Sequence, residues 1–266
     1  MTHTPAERRA LTAYAILAYL FLYLPIAVLI VFSFNESPLL TFPLTGPTLK
    51  WYRTLLQDDN ILRSIRNSFI VAGAVVPITL VLGVPAAFAF DRFSFPGKAA
   101  LERAILLPLM IPQLITGLAI LVVLRQLGVG LSLATVAIGH TVAWMPIVIT
   151  QVYARLRRFD RQLEEASMDL GANRRQTFRR VTLPNIRTSL IGSALLVYTL
   201  SFDEIAVTFF LTGTENTLPM QIWSMLRQGM TPEINAIGTI IVIASTLVIL
   251  LGARFLHGRA NDSAAR

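Results

Sequence analysis

Six stretches of apolar residues, at 11–34, 67–90, 104–124, 131–153, 189–212 and 236–253, follow one another along the chain with polar loops between them. An α-helix rises 1.5 Å per residue, so about 20 apolar residues cross the roughly 30 Å hydrocarbon core of a bilayer. Backbone in lipid must satisfy its own hydrogen bonds, which makes a helix the form for apolar stretches of this length. Only 14% of the residues are charged, against about 25% in a soluble domain, and the mean hydropathy is +0.62. The chain is read as an all-α membrane protein with six transmembrane helices. The first stretch follows Arg8 and Arg9 much as the apolar part of a signal peptide would. It exceeds the roughly 7–15 residues of such a segment and has no small-x-small cleavage site after it, so it is expected to be retained as a helix.

Positive charge sets the orientation. The formal net charge is +8, and the Lys and Arg residues fall unevenly about the apolar stretches. Seventeen lie on the side of the N-terminus, the second loop, the loop 154–188 and the tail, and six lie on the other side. The side richer in Lys and Arg is the cytoplasmic one. The expected organisation is a cytoplasmic N-terminus at 1–10, one six-helix transmembrane domain at 11–256, and a cytoplasmic tail at 257–266. Because the charge follows the membrane topology, nucleic acid is not an expected partner. There is no cysteine, so disulfides, thiolate nucleophiles and cysteine metal sites are excluded and the redox compartment stays open. No Gly-x4-Gly-Lys-Ser/Thr phosphate loop is present, so the chain cannot hydrolyse ATP itself. Energy for any transport comes from a partner or from an ion gradient.

The loop 154–188 is the most informative polar segment. Asp160 is placed to cap a short helix on which Leu163, Ala166 and Leu170 share one face. Gly171 can take the left-handed conformation that ends it. Asn173, with Gln176 three residues on, is a capping-box start for a second helix, and Pro184 is expected to stop that helix. Two short helices joined at a glycine make a compact knob outside the bilayer.

The residues of this knob resemble the Glu-Ala-Ala-x3-Gly-x9-Ile-x-Leu-Pro loop of ABC-importer permease subunits. Glu165, Ala166, Ser167, Gly171, Val181, Leu183 and Pro184 stand in register, with Ser167 for the second Ala and Val181 for Ile. Other stretches are similar to the spermidine/putrescine-type permeases in particular. They are Phe34-Asn35 with Lys50-Trp51-Tyr52; Phe95, Pro96 and Gly97 with Lys98; Ser201-Phe202-Asp203-Glu204; Phe209-Phe210-Leu211-Thr212-Gly213; Thr217-Leu218-Pro219; and Pro232-Glu233-Ile234-Asn235-Ala236. The resemblance implies the type I ABC importer permease architecture in a bacterial cytoplasmic (inner) membrane. It implies that Leu163, Glu165, Ala166, Ser167, Gly171, Val181, Leu183 and Pro184 couple the permease to a cytoplasmic ATPase. The implied partners are two ATPase copies, which bind the ATP and Mg; a sister permease or a second copy of this chain; and an extracytoplasmic solute-binding protein. No cofactor is expected in this chain. The implied solute is a polyamine such as putrescine or spermidine, with an amino acid, γ-aminobutyrate or an opine as the alternative.

Inside the membrane the sharpest feature is Asp203-Glu204, roughly 22 Å into the fifth stretch. Ionisable groups at such depth are costly and face a polar cavity or a partner. Adjacent helical positions diverge by about 100°, so both can face one pathway only if the helix is broken there. They are read either as an acidic lining for a cationic solute or as structural contacts. Trp144 and Tyr198 are candidates to stack on a cation, with core or lipid packing as the other reading. His140 stands alone and is expected to be packed or hydrogen-bonded rather than to bind a metal. The prolines of stretches two to four are read as kinks or as tolerated residues. An intramembrane enzyme built on Ser201, Asp203 or His140 lacks an evident nucleophile–base pair, and a gradient-driven carrier lacks evident broken helices or repeats.

Overall fold

The computed structural model describes residues 5–38, 41–229 and 231–247, and among them the regular structure is helical. Among the described residues, those up to Leu62 and those from Ser224 to Leu247 form one unit, and Arg63–Trp223 form the other.

In the first unit, α1 (Pro5–Ser33) is 29 residues long with Pro25 inside it. At 1.5 Å per residue it is long enough to cross a bilayer, and its apolar side chains lie open, Phe21 at 78% and Leu17 at 69% exposure. The segment after it is folded rather than loose. A short helix α2 (Lys50–Gln57) buries Trp51 and Leu55. The Trp51 indole N–H donates to the Asn35 carbonyl at 2.7 Å, and Ser33 and Tyr52 share a hydroxyl–hydroxyl bond of 2.7 Å. The last described helix is Pro232–Leu247. The remainder of the sixth stretch and the 257–266 tail lie outside the described residues.

The helix α3 (Asp59–Arg92) is continuous across Pro77 and Pro85. Beyond it, α4 (Lys98–Ala104), α5 (Leu107–Met110) and α6 (Gln113–Gln126) replace the single third helix expected at 104–124. The axis of Lys98–Met110 meets that of Gln113–Gln126 at 106°. Pro112 is the cause. A residue before proline is pushed out of the helical region, and Ile111 is extended at φ −81°, ψ 135°.

The central pillar is α7 (Leu133–Arg157), which passes Pro146 unbroken and is buried along most of its length. Ser132 and Thr135 form a capping box at its start. The second unit continues with α8 (Gln162–Asp169), α9 (Arg174–Thr177), α10 (Leu183–Phe202) and α11 (Ala206–Leu211), and it ends within α12 (Leu218–Gln228). The fifth stretch is therefore also interrupted, after Phe202. Lipid supplies little hydrophobic drive between helices, so close packing at small residues holds membrane helices together. A Cβ on Gly83 of α3 would stand 3.0 Å from Val148 of α7, and one on Gly117 of α6 would stand 3.0 Å from the Val207 backbone of α11. A Cβ on Gly139 of α7 would overlap Leu211 and Val207. Glycines on two long helices thus open the groove in which the short α11 lies.

Candidate functional site

The knob is built by local rules. The Asp160 carboxylate accepts the Gln162 N–H at 3.0 Å, just ahead of α8. At the far end Gly171 is left-handed at φ 86°. Its N–H reaches the Met168 carbonyl at 2.9 Å, and the Ala172 N–H reaches Ser167 at 3.2 Å, the paired bonds that close a helix at a glycine. The Asn173–Gln176 box forms in both directions, each bond 2.9 Å. Leu163, Met168 and Leu170 stand open, Leu170 at 91% exposure. Glu165 and Ala166 are exposed on the same short helix, and Ser167 turns inward to Thr177 at 3.1 Å.

Pro184 does not stop the second helix. The chain runs from α9 through a π-helical turn at Phe178–Thr182 straight into α10. Pro184 falls in the first turn of α10, where a missing N–H costs little, and the wider π turn absorbs the extra residue. Arg155 donates to the Asn185 carbonyl at 2.9 Å, and the Asn185 amide donates to the Val181 carbonyl at 2.7 Å. The residues between α7 and α10 are 158–182. Leu183 and Pro184 belong to the stem on which the knob stands, and Val181 to the π turn that leads into it.

What holds the knob to the scaffold is a set of charges that spacing along the chain does not reveal. Arg92, at the end of α3, grips Glu164 with two guanidinium nitrogens, each 2.7 Å from a carboxylate oxygen. Thr182 donates to the same carboxylate. Arg161 pairs with the buried Asp91 at 3.0 Å. Burial pushes the Glu164 carboxyl up, but the hydrogen bonds from Arg92 and Thr182 and the charges of Arg92 and Arg161 together hold it below the usual carboxylate range. The two neighbouring glutamates thus divide: Glu164 turns inward to Arg92, and Glu165 faces outward.

The second polar centre is the break between α10 and α11. Asp203 caps α10 with φ −97°, ψ 5°, and α11 begins only at Ala206. Even with the helix broken here, Asp203 and Glu204 meet different surroundings. Glu204 is buried, and its carboxylate accepts the Val207 N–H at 3.0 Å. Asp203 is exposed, and its carboxylate makes no hydrogen bond or ion pair among the described residues. Tyr198, one turn back, stacks on Phe202 at 6.1 Å, and Phe202 meets Phe69 edge-on at 5.3 Å. Trp144 lies in the packed core at 9% exposure, so its ring face is closed off.

His140 is buried and hydrogen-bonded, with Nδ1 2.8 Å from Ser201 Oγ and Nε2 2.9 Å from Thr208 Oγ1. The sequence left this pairing unseen, since Ser201 lies 61 residues away. The Ser–His distance is that of a nucleophile and its base. Both side chains are closed off, at 3% and 0% exposure, and the second ring nitrogen meets a threonine instead of a carboxylate. The arrangement ties helices together and offers no opening to a substrate. The broken helices, unforeseen from the sequence, are shared with carriers of other kinds.

Known proteins resolve the kinship. Residues 79–260 match the family described as "Binding-protein-dependent transport system inner membrane component". The putrescine transport system permease protein PotI of Escherichia coli K12 is 35% identical over 259 residues, covering 94% of this chain and 92% of that protein. The spermidine/putrescine transport system permease protein PotC of the same organism is 33% identical over 235 residues, covering 87% and 88%. Among solved structures, a bacterial ABC transporter that imports the acidic polysaccharide alginate superposes with a TM-score of 0.70 at 18% identity, covering 96% of this chain and 98% of that one. The MetNI methionine ABC transporter superposes with a TM-score of 0.58 at 19% identity, covering 79% and 98%. The chain belongs to the binding-protein-dependent transport system inner membrane component family, as an integral inner-membrane permease subunit of an ABC importer.

Proposed function

We propose that this permease carries a polyamine such as putrescine or spermidine. The observation that carries this reading is the 35% identity to PotI across 94% of the chain. The break supplies suitable chemistry. A carboxylate with no internal partner, next to stacked aromatic rings, attracts an ammonium group through charge and through the ring faces. In this reading Asp203 and Tyr198 line the pathway, Glu204 shapes it from behind, and Trp144 has no direct part. Relatives at somewhat lower identity include one named as a probable molybdenum ABC transporter permease of Haloferax volcanii, 28% identical over 209 residues. Kinship at this level therefore spans more than one solute, and the substrate must be measured.

The excess of Lys and Arg on one side of the membrane supports cytoplasmic termini and a cytoplasmic knob. There Glu165 and the open Leu163, Met168 and Leu170 meet a groove on one of two ATPase copies, which bind ATP and Mg, and the second permease meets the other. A sister permease or a second copy of this chain completes the pathway, and a solute-binding protein delivers cargo from outside. ATP-driven closure of the ATPases moves the knob and its stem, and alternating access follows. The test is uptake by the complete importer in proteoliposomes. Asp203→Asn is expected to slow putrescine uptake about 10-fold, equivalent to about 1.4 kcal/mol, and Asp203→Glu to restore most of it. Uptake of an opine or an anion, with none of putrescine or spermidine, would overturn the polyamine reading and leave the permease assignment intact.

A further inference from the structure

The buried contacts around His140 have a direction, and Thr208 reveals it. The Thr208 hydroxyl holds one proton and gives it to the Glu204 carbonyl, 3.0 Å away. Toward His140 Nε2, at 2.9 Å, Thr208 Oγ1 can then only accept. With that proton committed to the carbonyl, Nε2 carries the ring proton. In a neutral imidazole this leaves the Nδ1 lone pair to accept from the Ser201 hydroxyl, 2.8 Å away. Neutrality follows from the surroundings: His140 is fully buried, and its two ring partners are hydroxyls rather than carboxylates. The protons thus run one way, from Ser201 to His140 to Thr208 to the Glu204 carbonyl. Ser201 is the last buried residue of α10, His140 stands on α7, and Thr208 lies in α11. The chain of bonds spans the break and pins both of its sides to the central helix.

We propose that His140 is a positioning residue, which as the neutral Nε2–H tautomer fixes the geometry of the α10–α11 break and so sets where Asp203 stands. Nothing in this depends on the solute. Only the consequence for transport rests on the reading of Asp203 as a pathway carboxylate. Geometry also favours a direct effect on the break over a diffuse loss of packing. Every bond of the relay falls within the residues Ser201–Thr208 or joins them to one ring. The Glu204 side chain adds to the same turn by accepting from Val207 at 3.0 Å.

Two measurements test it, and neither needs transport. The chain has three histidines, His3, His140 and His257, and no cysteine. With His3 and His257 replaced by alanine, imidazole-¹⁵N-labelled protein in lipid nanodiscs reports on His140 alone. The expected spectrum at pH 7.5 shows one protonated Nε2 and one unprotonated Nδ1, with Nδ1 moving in Ser201→Ala. An Nδ1–H tautomer or an imidazolium would overturn the assignment. For position, Asp203→Cys provides a single thiol. Its labelling rate by a charged methanethiosulfonate is expected to change about fivefold when His140→Phe removes the hydrogen bonds at similar ring volume. His140→Gln, whose amide can accept at one atom and donate at the other, should bring the rate back toward the parent value. If His140→Phe inserts poorly, Thr208→Val and Thr208→Ser give the same contrast, the valine altering the rate and the serine preserving it. Equal rates in parent, His140→Phe and Thr208→Val would sink the positioning role. With the tautomer and labelling as expected, unchanged putrescine uptake in His140→Phe would overturn Asp203 as the pathway carboxylate while leaving the relay in place.

Discussion

The knob at 158–182 and the break after Phe202 both interrupt helices at polar residues, and they hold those residues in opposite ways. The knob is anchored by charge: Arg92 on Glu164, and Arg161 on Asp91. The break is anchored by neutral hydroxyl–imidazole bonds through His140, with one carboxylate capping a short helix and its neighbour left open. The surrounding medium explains the contrast. Near water the arginine of each pair stays partly solvated, at 26% for Arg92 and 52% for Arg161, so the pair opens at less cost than one deep in the scaffold. Deep in the scaffold an unpaired charge is expensive, while a fully satisfied neutral network is rigid. In the proposed function the first arrangement serves a moving contact with a partner, and the second a fixed pathway wall.

The largest expected effect lies at the outer face of the knob. Glu165→Lys reverses the outward charge, and Gly171→Pro removes the N–H that closes α8 and clashes with its left-handed φ. Both proteins are expected to insert at normal levels, to lose co-purifying ATPase and to show uptake at background. Normal ATPase recovery together with normal uptake in both variants would erase the functional half of the comparison, because the knob would then not be a coupling element.

An intermediate effect separates the two anchors by salt. Arg92→Ala leaves Glu164 half-buried without its two-pronged partner, a loss of roughly 1–3 kcal/mol, and is expected to slow uptake several-fold. Raising potassium chloride from 0.05 to 0.5 M shortens the screening length to a few ångströms and should push the parent protein part of the way toward the same defect. His140→Phe should show a defect that salt leaves unchanged. Salt-independent uptake in the parent over that range would mean that the Arg92–Glu164 contact is not a working part of the coupling.

The two regions also differ in how far they can be read from the chain. In the knob, the glycine end at Gly171 and the Asn173–Gln176 box obey rules that span at most six residues, and each forms where the sequence places it, whereas Asp160, expected as the cap of the first helix, makes a turn one residue ahead of the N-cap, Arg161. The Arg92–Glu164 grip joins residues 72 apart, and no local rule links them. Pro184 misled for a local reason: as a helix breaker its meaning depends on whether it sits at an end or a beginning, and the π turn before it makes it a beginning. In the membrane, six apolar stretches reveal the class of fold but not the breaks. Pro77, Pro85 and Pro146 stay inside continuous helices, while Pro112 breaks one, so proline alone is not the signal. At 201–208 no proline is present, and the break shows itself in sequence only as adjacent Asp and Glu where a continuous helix would send them to different faces. The groove that receives α11 needs glycines on two other helices, Gly117 and Gly139, a condition visible only after folding.

The smallest expected effect is on pH, and it acts on the knob alone. A carboxyl held below its ordinary range in the folded protein contributes stability that is fully present above that range. The contribution is lost as pH falls through the lowered value, because protonation removes the charge that Arg92 and Arg161 favour. Glu164→Gln lacks the titrating group. The parent is therefore expected to melt about 2 °C above Glu164→Gln at every pH from 8 to 6. The gap should close only as the pH drops below the ordinary carboxylate range near 4. Melting is followed by tryptophan fluorescence in nanodiscs at constant ionic strength. A gap that widens on acidification, or that closes between pH 8 and 6, would mean that a group other than Glu164 carries the charge holding the knob, and the contrast drawn with the neutral break would lose its electrostatic basis.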